Sequence, residues 1–308
     1  MNKKVQEVTY TPDEIAAMFK ISKHTVYELI KRGELNAFKV GNKMRIEQAE
    51  LERYKQTKAS NVKGHSASIS SQAYTLKLAG SHDFLVEYLV RYAANESAGL
   101  AIQPSYIGSL EGLMMLYRGS ADMAAIHLLD PTSQEYNLPF IRQLFVHEPI
   151  TVIRFASREQ GLIVAKGNPK NITTVEDLAR KDVTIINRQK GAGTRFLLDS
   201  FLADKNINPN SIKGYENEEW NHLGAASHIS RGSADAAFGI KYAASQLGLD
   251  FIPITSEKFD LVFRWTEENK AALEHLLDLI HFTTFKDSIL QLEGYDASEL
   301  GKIIFEHK

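Results

Sequence analysis

Apolar residues recur at helical spacing twice within the first thirty positions. In "TPDEIAAMF", Ile15, Met18 and Phe19 fall three and four apart, and Val26, Leu29 and Ile30 do the same in "SKHTVYELIKRG"; this is the period of an amphipathic helix. Thr11 is a suitable N-cap, Pro12 fits the first helical position, and Glu14 stands three after the cap, as a capping box requires. A tight turn at Lys20-Ile21 separates the two stretches, Ser22 offers the second N-cap, and Gly33 stops the second helix. Two short helices joined in this way predict a helix-turn-helix. "FKVGNKMRI" then alternates around Gly41-Asn42, a pair suited to a two-residue hairpin. Leu51 and Tyr54 share one face of a short closing helix.

The pattern then changes. "QTKASNVKGHSASISSQA" is serine-rich and nearly without large apolar residues, which reads as a linker. From Tyr74 onward short apolar runs alternate with amphipathic stretches, predicting α/β layers with parallel strands. The expected division is a winged helix-turn-helix at 1–58, a linker at 59–73 and an α/β domain at 74–308. Several strand ends are polar: "YTLKLAGSHD" ends in Gly80-Ser81-His82-Asp83, "YIGSLEGL" carries Gly108-Ser109, and "NRQKGAGTRFLLD" follows the apolar "VTII". Where a strand runs into a helix, free backbone N–H groups and the positive dipole end meet, and an anion is stabilised.

A chain of 308 residues with 44% hydrophobic and 24% charged positions has room for two domains with real cores. It contains no cysteine, which excludes disulfides, thiolate metal sites and a cysteine nucleophile. No leader-like apolar segment or eighteen-residue apolar run occurs, so a cytoplasmic protein that does not engage the membrane is expected. The net charge of −2 hides an asymmetry: residues 1–60 carry 12 Lys+Arg against 8 Asp+Glu, and the rest 24 against 30. A mildly basic head on an acidic body is compatible with nucleic-acid binding by the head.

In the head, Ser22, Lys23, His24, Thr25, Tyr27, Lys31 and Arg32 lie on or beside the polar side of the second helix. These residue types reach phosphates and base edges when a helix enters a major groove. Lys43 and Arg45 would form a basic wing together with Lys39. The order of "TPDEIAAMF", "SKHTVYELIKRGEL" and "FKVGNKMRI" resembles the winged helix-turn-helix of the excisionase family, related to the heads of MerR-type regulators. That resemblance covers residues 8 to about 56 and implies binding to double-stranded DNA.

In "NRQKGAGTRFLLD", Gly191 and Gly193 allow close backbone approach, Thr194 can cap the helix and donate a hydroxyl, and Arg188 and Arg195 can supply forked donors to an oxyanion. The glycine spacing is neither a dinucleotide fingerprint nor a Walker loop, which leaves a small anionic ligand. The alternative is a tight turn whose arginines face solvent or pair with Asp199 or Glu176. The stretches "LAGSHD", "GSLEGLMMLYRGSADMAAIHLLD", "REQGLIVAKGNP", "NRQKGAGTRFLLD", "GSADAAFGIKYAASQLGLDFIPI" and "EKFDLVF" together resemble the periplasmic-binding-protein superfamily in its intracellular, molybdate-binding-like form. This resemblance runs from about 74 to 308 and implies a type II two-lobed fold, lobe one about 74–154 and 259–308, lobe two about 155–258. It would set Ser81, His82 and Ser109 across a cleft from Arg188, Thr194 and Arg195. Relatives often carry a Thr-His pair where this chain has Asn221-His222, which leaves His222 as a candidate. His127 and Asp130 read as the end of a buried strand and stay outside the set.

The two resemblances together imply a one-component transcription regulator that senses a small anion and binds DNA as a homodimer. Molybdate, tungstate or a molybdenum-cofactor-related molecule is the ligand the resemblance implies, with no further cofactor. Molybdate sites of transport relatives are typically built from neutral donors, so two arginines favour a phosphate- or carboxylate-bearing ligand at least as much. No metal-ligand spacing or nucleophile elbow occurs, so no catalytic or metal residues are assigned and no enzyme is expected. Other readings remain open: an enzyme on a binding-protein fold using His82, Asp83 and Ser109, a transport solute-binding protein, or an excisionase-like accessory with a partner-binding body.

Overall fold

The structure, a computed structural model, describes residues 9–19, 21–31, 35–41, 43–48, 50–51, 54, 74–97 and 99–307. The chain divides into two compact units, Met1–Gln72 and Ala73–Lys308.

In the first unit, β1 (Thr9–Tyr10) leads into α1 (Pro12–Phe19) and α2 (Lys23–Lys31), followed by β2 (Phe38–Val40) and β3 (Lys43–Glu47). The capping box forms as expected: Thr11 N donates to Glu14 Oε2 at 2.7 Å and Glu14 N to Thr11 Oγ1 at 3.2 Å. These bonds from Thr11 hold the Glu14 carboxyl below its usual range. Ser22 Oγ accepts from Thr25 N at 3.0 Å, capping α2. The hairpin also forms, with Phe38 opposite Arg45 and Val40 opposite Lys43. Ile15, Ala16, Val26, Leu35, Ile46 and Leu51 make the core, with Leu29, Ile30 and Tyr54 packed against it. Met18, one of the apolar residues at helical spacing, is 44% exposed, and Ala16 is buried instead. Strand β1 adds to β3 as a third strand; two residues are too short to display a period.

The second unit begins with β4 (Tyr74–Gly80), α3 (Phe84–Glu96), β5 (Leu100–Tyr106), α4 (Ser109–Tyr117), β6 (Met123–Ile126) and α5 (Leu138–Leu144). Then β7 (Ile150–Val164), 15 residues long, carries the chain into a second lobe. That lobe contains β8 (Ile185–Arg188), α6 (Gly193–Asp204), β9 (Glu218–Glu219), α7 (His222–Ser230), β10 (Ala236–Ile240) and α8 (Lys241–Gln246). The return is β11 (Asp250–Arg264), again 15 residues. Lobe one is completed by α9 (Lys270–Ile280), α10 (Thr283–Ile289), β12 (Tyr295–Asp296) and β13 (Ile303–His307).

Strands β4, β5 and β6 are parallel, as are β8, β9 and β10. The two long crossing strands run antiparallel to each other, from Asp250 opposite Val164 to Arg264 opposite Ile150. Near its start β7 pairs with β13, and near its end with β10. The pair thus belongs to both lobes, with register shifts between Pro253 and Thr255 and between Phe259 and Asp260. Separate apolar clusters stabilise each side: Leu85, Leu89, Phe155, Phe259, Leu276 and Phe285 in lobe one, and Leu162, Ile185, Leu198, Leu202 and Phe238 in lobe two. Fully burying each such side chain contributes about 1.5–3 kcal/mol, so each lobe has a core of its own.

Candidate ligand cleft and DNA-facing helix

Helices α4 and α6 begin at strand ends that touch each other across the two lobes. Leu110 N donates to Gly191 O at 3.3 Å. Gly108, at φ 95°, lies so close that a Cβ there would stand 2.9 Å from that same carbonyl oxygen. A Cβ at Gly193 would run into the His127 carbonyl and lie 2.7 Å from His127 Nδ1. Gly108 and Gly193 therefore serve lobe-to-lobe approach, whereas Gly191, at φ 89°, has open space where a Cβ would stand. The N-caps of these helices, Gly108 and Ala192, supply no side-chain acceptor; of the first-turn amides, Leu110 N is taken by Gly191 O and Arg195 N by Ala192 O, which leaves those of Ser109, Glu111, Gly193 and Thr194 without an acceptor among the described residues. Helix α6 thus starts before Thr194, whose hydroxyl accepts from Gln160 Nε2 at 3.4 Å rather than capping the helix.

Lobe one brings Ser81 and Ser109 together, their hydroxyls 2.7 Å apart and both buried. Ser109 Oγ also accepts from His127 N at 3.2 Å. His82 Nε2 meets Glu87 at 2.8 Å, while its buried Nδ1 has no partner among the described residues. Asp83 caps α3 by accepting from Leu85 N and takes a hydrogen bond from Arg158. His82, Asp83 and Ser109 thus have separate partners and do not assemble as a triad.

From lobe two, Arg188 is 3% exposed and donates from Nε to Glu219 O at 3.1 Å and from Nη2 to Trp220 O at 2.9 Å. Burial first, and Arg158 second, bring its guanidinium down to about 10. Arg195 donates to Glu218 and to the Arg188 carbonyl, and its guanidinium lies 4.6 Å over the Tyr215 ring. Both arginines are buried, and Asp199 instead receives the Tyr215 hydroxyl; these contacts make Arg195 a brace for Arg188. His222 opens α7 behind the N-cap Asn221, whose side chain accepts from Gly224 N. Its ring is 1% exposed and neither nitrogen has a partner among the described residues. Burial, then the nearby Arg188 and Arg158, hold its imidazole well below the usual range, so it is neutral.

Sequence reasoning missed the polar network between these groups. Arg158, fully buried, reaches Asp83 with one terminal nitrogen and Glu257 with the other. Glu257 also accepts from Gln160 Nε2 and pairs with His127 Nδ1, each at 2.8 Å. Tyr295 donates its hydroxyl to Asp83 at 2.5 Å. Burial alone would raise the Glu257 carboxyl, yet Arg158 and His127 overcome it and hold it at about 2. Burial pushes His127 down against the opposing pull of Glu257. Asp130, by contrast, is bonded locally to Thr132 and Ser133.

In the first unit, Lys23, Tyr27 and Lys31 are exposed at four-residue spacing along α2, which puts them on one face. Lys23 Nζ lies 2.8 Å from Asp13, and Thr25 Oγ1 lies 2.8 Å from Ser22 Oγ. Arg45 is half-buried on β3. Arg32 and the side chains of His24 and Lys43 lie outside the described residues. Among the described residues no helix is long and apolar enough to cross a membrane.

A helix-turn-helix unit followed by a two-lobed body crossed by two antiparallel strands defines a helix-turn-helix protein with a periplasmic-binding-protein-like domain. The chain belongs to the PBP superfamily, whose domain matches residues 90–281, and a helix-turn-helix domain matches residues 9–59. The Bacillus subtilis (strain 168) protein YvgK is 34% identical over 305 residues, covering 97% of this chain and 98% of its own length. Among solved structures, a phosphate ABC transporter substrate-binding protein with bound phosphate from Clostridium perfringens superposes with TM-score 0.54 at 15% identity, covering 72% of this chain and 99% of its own. A hydrogen-peroxide-bound mutant of Corynebacterium glutamicum OxyR superposes with TM-score 0.51 at 13% identity, covering 92% and 88%. At such identities these likenesses concern the fold.

Proposed function

We propose that this protein is a DNA-binding transcription regulator whose two-lobed body senses a small anion and whose helix-turn-helix head binds duplex DNA as part of a homodimer. The observation that carries the reading is His222, buried beside Arg188 with both ring nitrogens unpaired among the described residues, in a chain whose head is a helix-turn-helix. A buried polar group without a partner costs about 1–3 kcal/mol, and such a group beside a buried guanidinium suits a site built for a ligand. The uncapped first turns of α4 and α6 add donors of the kind an anion uses. Arg188, His222, Ser81, Ser109 and Thr194 are the residues assigned to the ligand, with His82 beside them and Arg195 bracing Arg188. On the head, Lys23, Tyr27, Lys31 and Arg45 are assigned to DNA.

Ligand acts as a switch through its differential affinity for two states of the body. A homodimer supplies two heads for a symmetric operator, since one small head makes few phosphate contacts. The reading is tested by thermal shift with molybdate, tungstate, sulfate, phosphate and small carboxylates, then by DNA binding with and without the ion that stabilises. A ligand should raise the melting temperature by mass action and alter operator affinity; stabilisation without any effect on DNA binding would refute the switch.

A further inference from the structure

The body's polar interior holds hydrogen-bond acceptors as well as donors, and two residues have their acceptor atoms fixed by their neighbours. Gln160 turns its amide nitrogen to Glu257 Oε1 at 2.8 Å and toward Thr194 Oγ1. A flip would set its oxygen against that carboxylate, so Oε1 must be the outward atom. Gln160 Oε1 is buried and meets no donor among the described residues. His127 is fixed in the same way: Nδ1 faces Glu257 at 2.8 Å and carries the proton, which leaves Nε2 as a lone-pair acceptor. Gln189 Oε1, in the β8–α6 turn beside Arg188, is also buried without a donor among the described residues. His222, being neutral, presents one acceptor nitrogen along with its N–H.

These atoms bear on what the site can hold. A fully deprotonated tetraoxo anion such as sulfate, molybdate or tungstate offers only acceptors. Its oxygens would be satisfied by Arg188 and the first-turn amides other than those of Leu110 and Arg195, which already have acceptors, yet they would meet Gln160 Oε1 lone pair to lone pair. Resting on the anion-sensing reading above, we infer that the ligand of this site is an anion that also donates hydrogen bonds, through an O–H or N–H directed at Gln160 Oε1. Two sources share that chemistry: a protonated inorganic oxyanion, such as hydrogenphosphate or hydrogenarsenate, and an organic anion carrying N–H groups.

The test is a calorimetric and thermal-shift comparison on the full chain at fixed pH 7.5 and fixed ionic strength. Inorganic phosphate and arsenate represent the first source, glycine, other amino acids and pterin-6-carboxylate the second, and sulfate, molybdate and tungstate are the acceptor-only controls. At least one donor-bearing probe is expected to bind about tenfold or more tightly than every control. Gln160→Leu should shrink that ratio about tenfold, and Gln160→Met, closer to glutamine in shape, serves as a second variant should Gln160→Leu fail to fold. Controls that bind as tightly as the donor-bearing probes overturn this inference while leaving the anion-sensing reading in place. A ratio unchanged in whichever Gln160 variant folds overturns it as well. If no anion of any class binds, the anion-sensing reading itself is overturned.

Discussion

Replacing Arg158 with methionine removes the guanidinium that stands between Asp83 and Glu257, all three fully buried. Removing one partner of a buried ion pair costs about 3–5 kcal/mol, because a charge remains without compensation. A second route gives a similar magnitude: bringing Glu257 from 4.5 to about 2 corresponds to roughly 3 kcal/mol at neutral pH. For a body of this size the melting temperature should fall by roughly 6–20 °C. The pH dependence provides the sharper check. In the parent protein the depressed Glu257 contributes stability that is present above pH 4.5 and lost as pH falls toward 2. Without Arg158 burial dominates and raises the Glu257 carboxyl, so the folded variant takes up a proton more readily than the unfolded chain. Its stability should then rise, relative to the parent, as pH is lowered from 7.5 to 5.5. Urea unfolding of both proteins at these two pH values, followed by circular dichroism, measures the difference. A loss below about 1 kcal/mol, or one that does not change with pH, would refute the account of this network.

Two further changes probe the lobes and the head. Gly193→Ala should weaken binding of the ligand found by thermal shift about tenfold or more, because its Cβ would collide with the His127 carbonyl; DNA affinity without ligand should persist, and unchanged ligand affinity would mean that the contact is not needed for binding. Arg45→Ala should weaken DNA binding and lower the slope of log K against log salt by about one; an unaltered slope in a titration across salt concentrations would remove Arg45 from the phosphate contacts.

The head was legible because its signals are local. Thr11, Pro12 and Glu14 lie within four residues and their bonds form as the spacing predicts, whereas β1 becomes a strand only through its pairing with β3. In the body, the alternation of strand and helix marked the polar strand ends, and so Ser81, Ser109, Arg188 and Thr194 were found as candidates, while His222 was a candidate only through the family resemblance. The connecting network was hidden because its pairings depend on register between distant strands: Arg158 lies opposite Glu257 only because β7 and β11 align antiparallel. A signal did exist in "ITVIRFASREQGLIV", where Arg158 and Gln160, two apart, share one face of an otherwise mostly apolar run, while the register shift between Phe259 and Asp260 puts Arg154 on the other face. Buried charges of that kind require partners. His127 was set aside as a strand end because its partner lies 130 residues away.

The pairing of Asp250 with Val164 also bears on how the chain reaches its native state. The 85 residues between them leave and re-enter at neighbouring strands, about 4.8 Å apart, so topologically they form an insertion. During synthesis β4, β5 and β6 emerge early but must wait for β11 to pair beside β6. The inserted residues have all their internal strand partners once β10 has emerged, before β11 supplies the last neighbour of β6. Since closing a long loop costs entropy before its contacts repay it, maturation of this body should run out of chain order: the half encoded in the middle assembles first, and the half that began emerging before it is finished last.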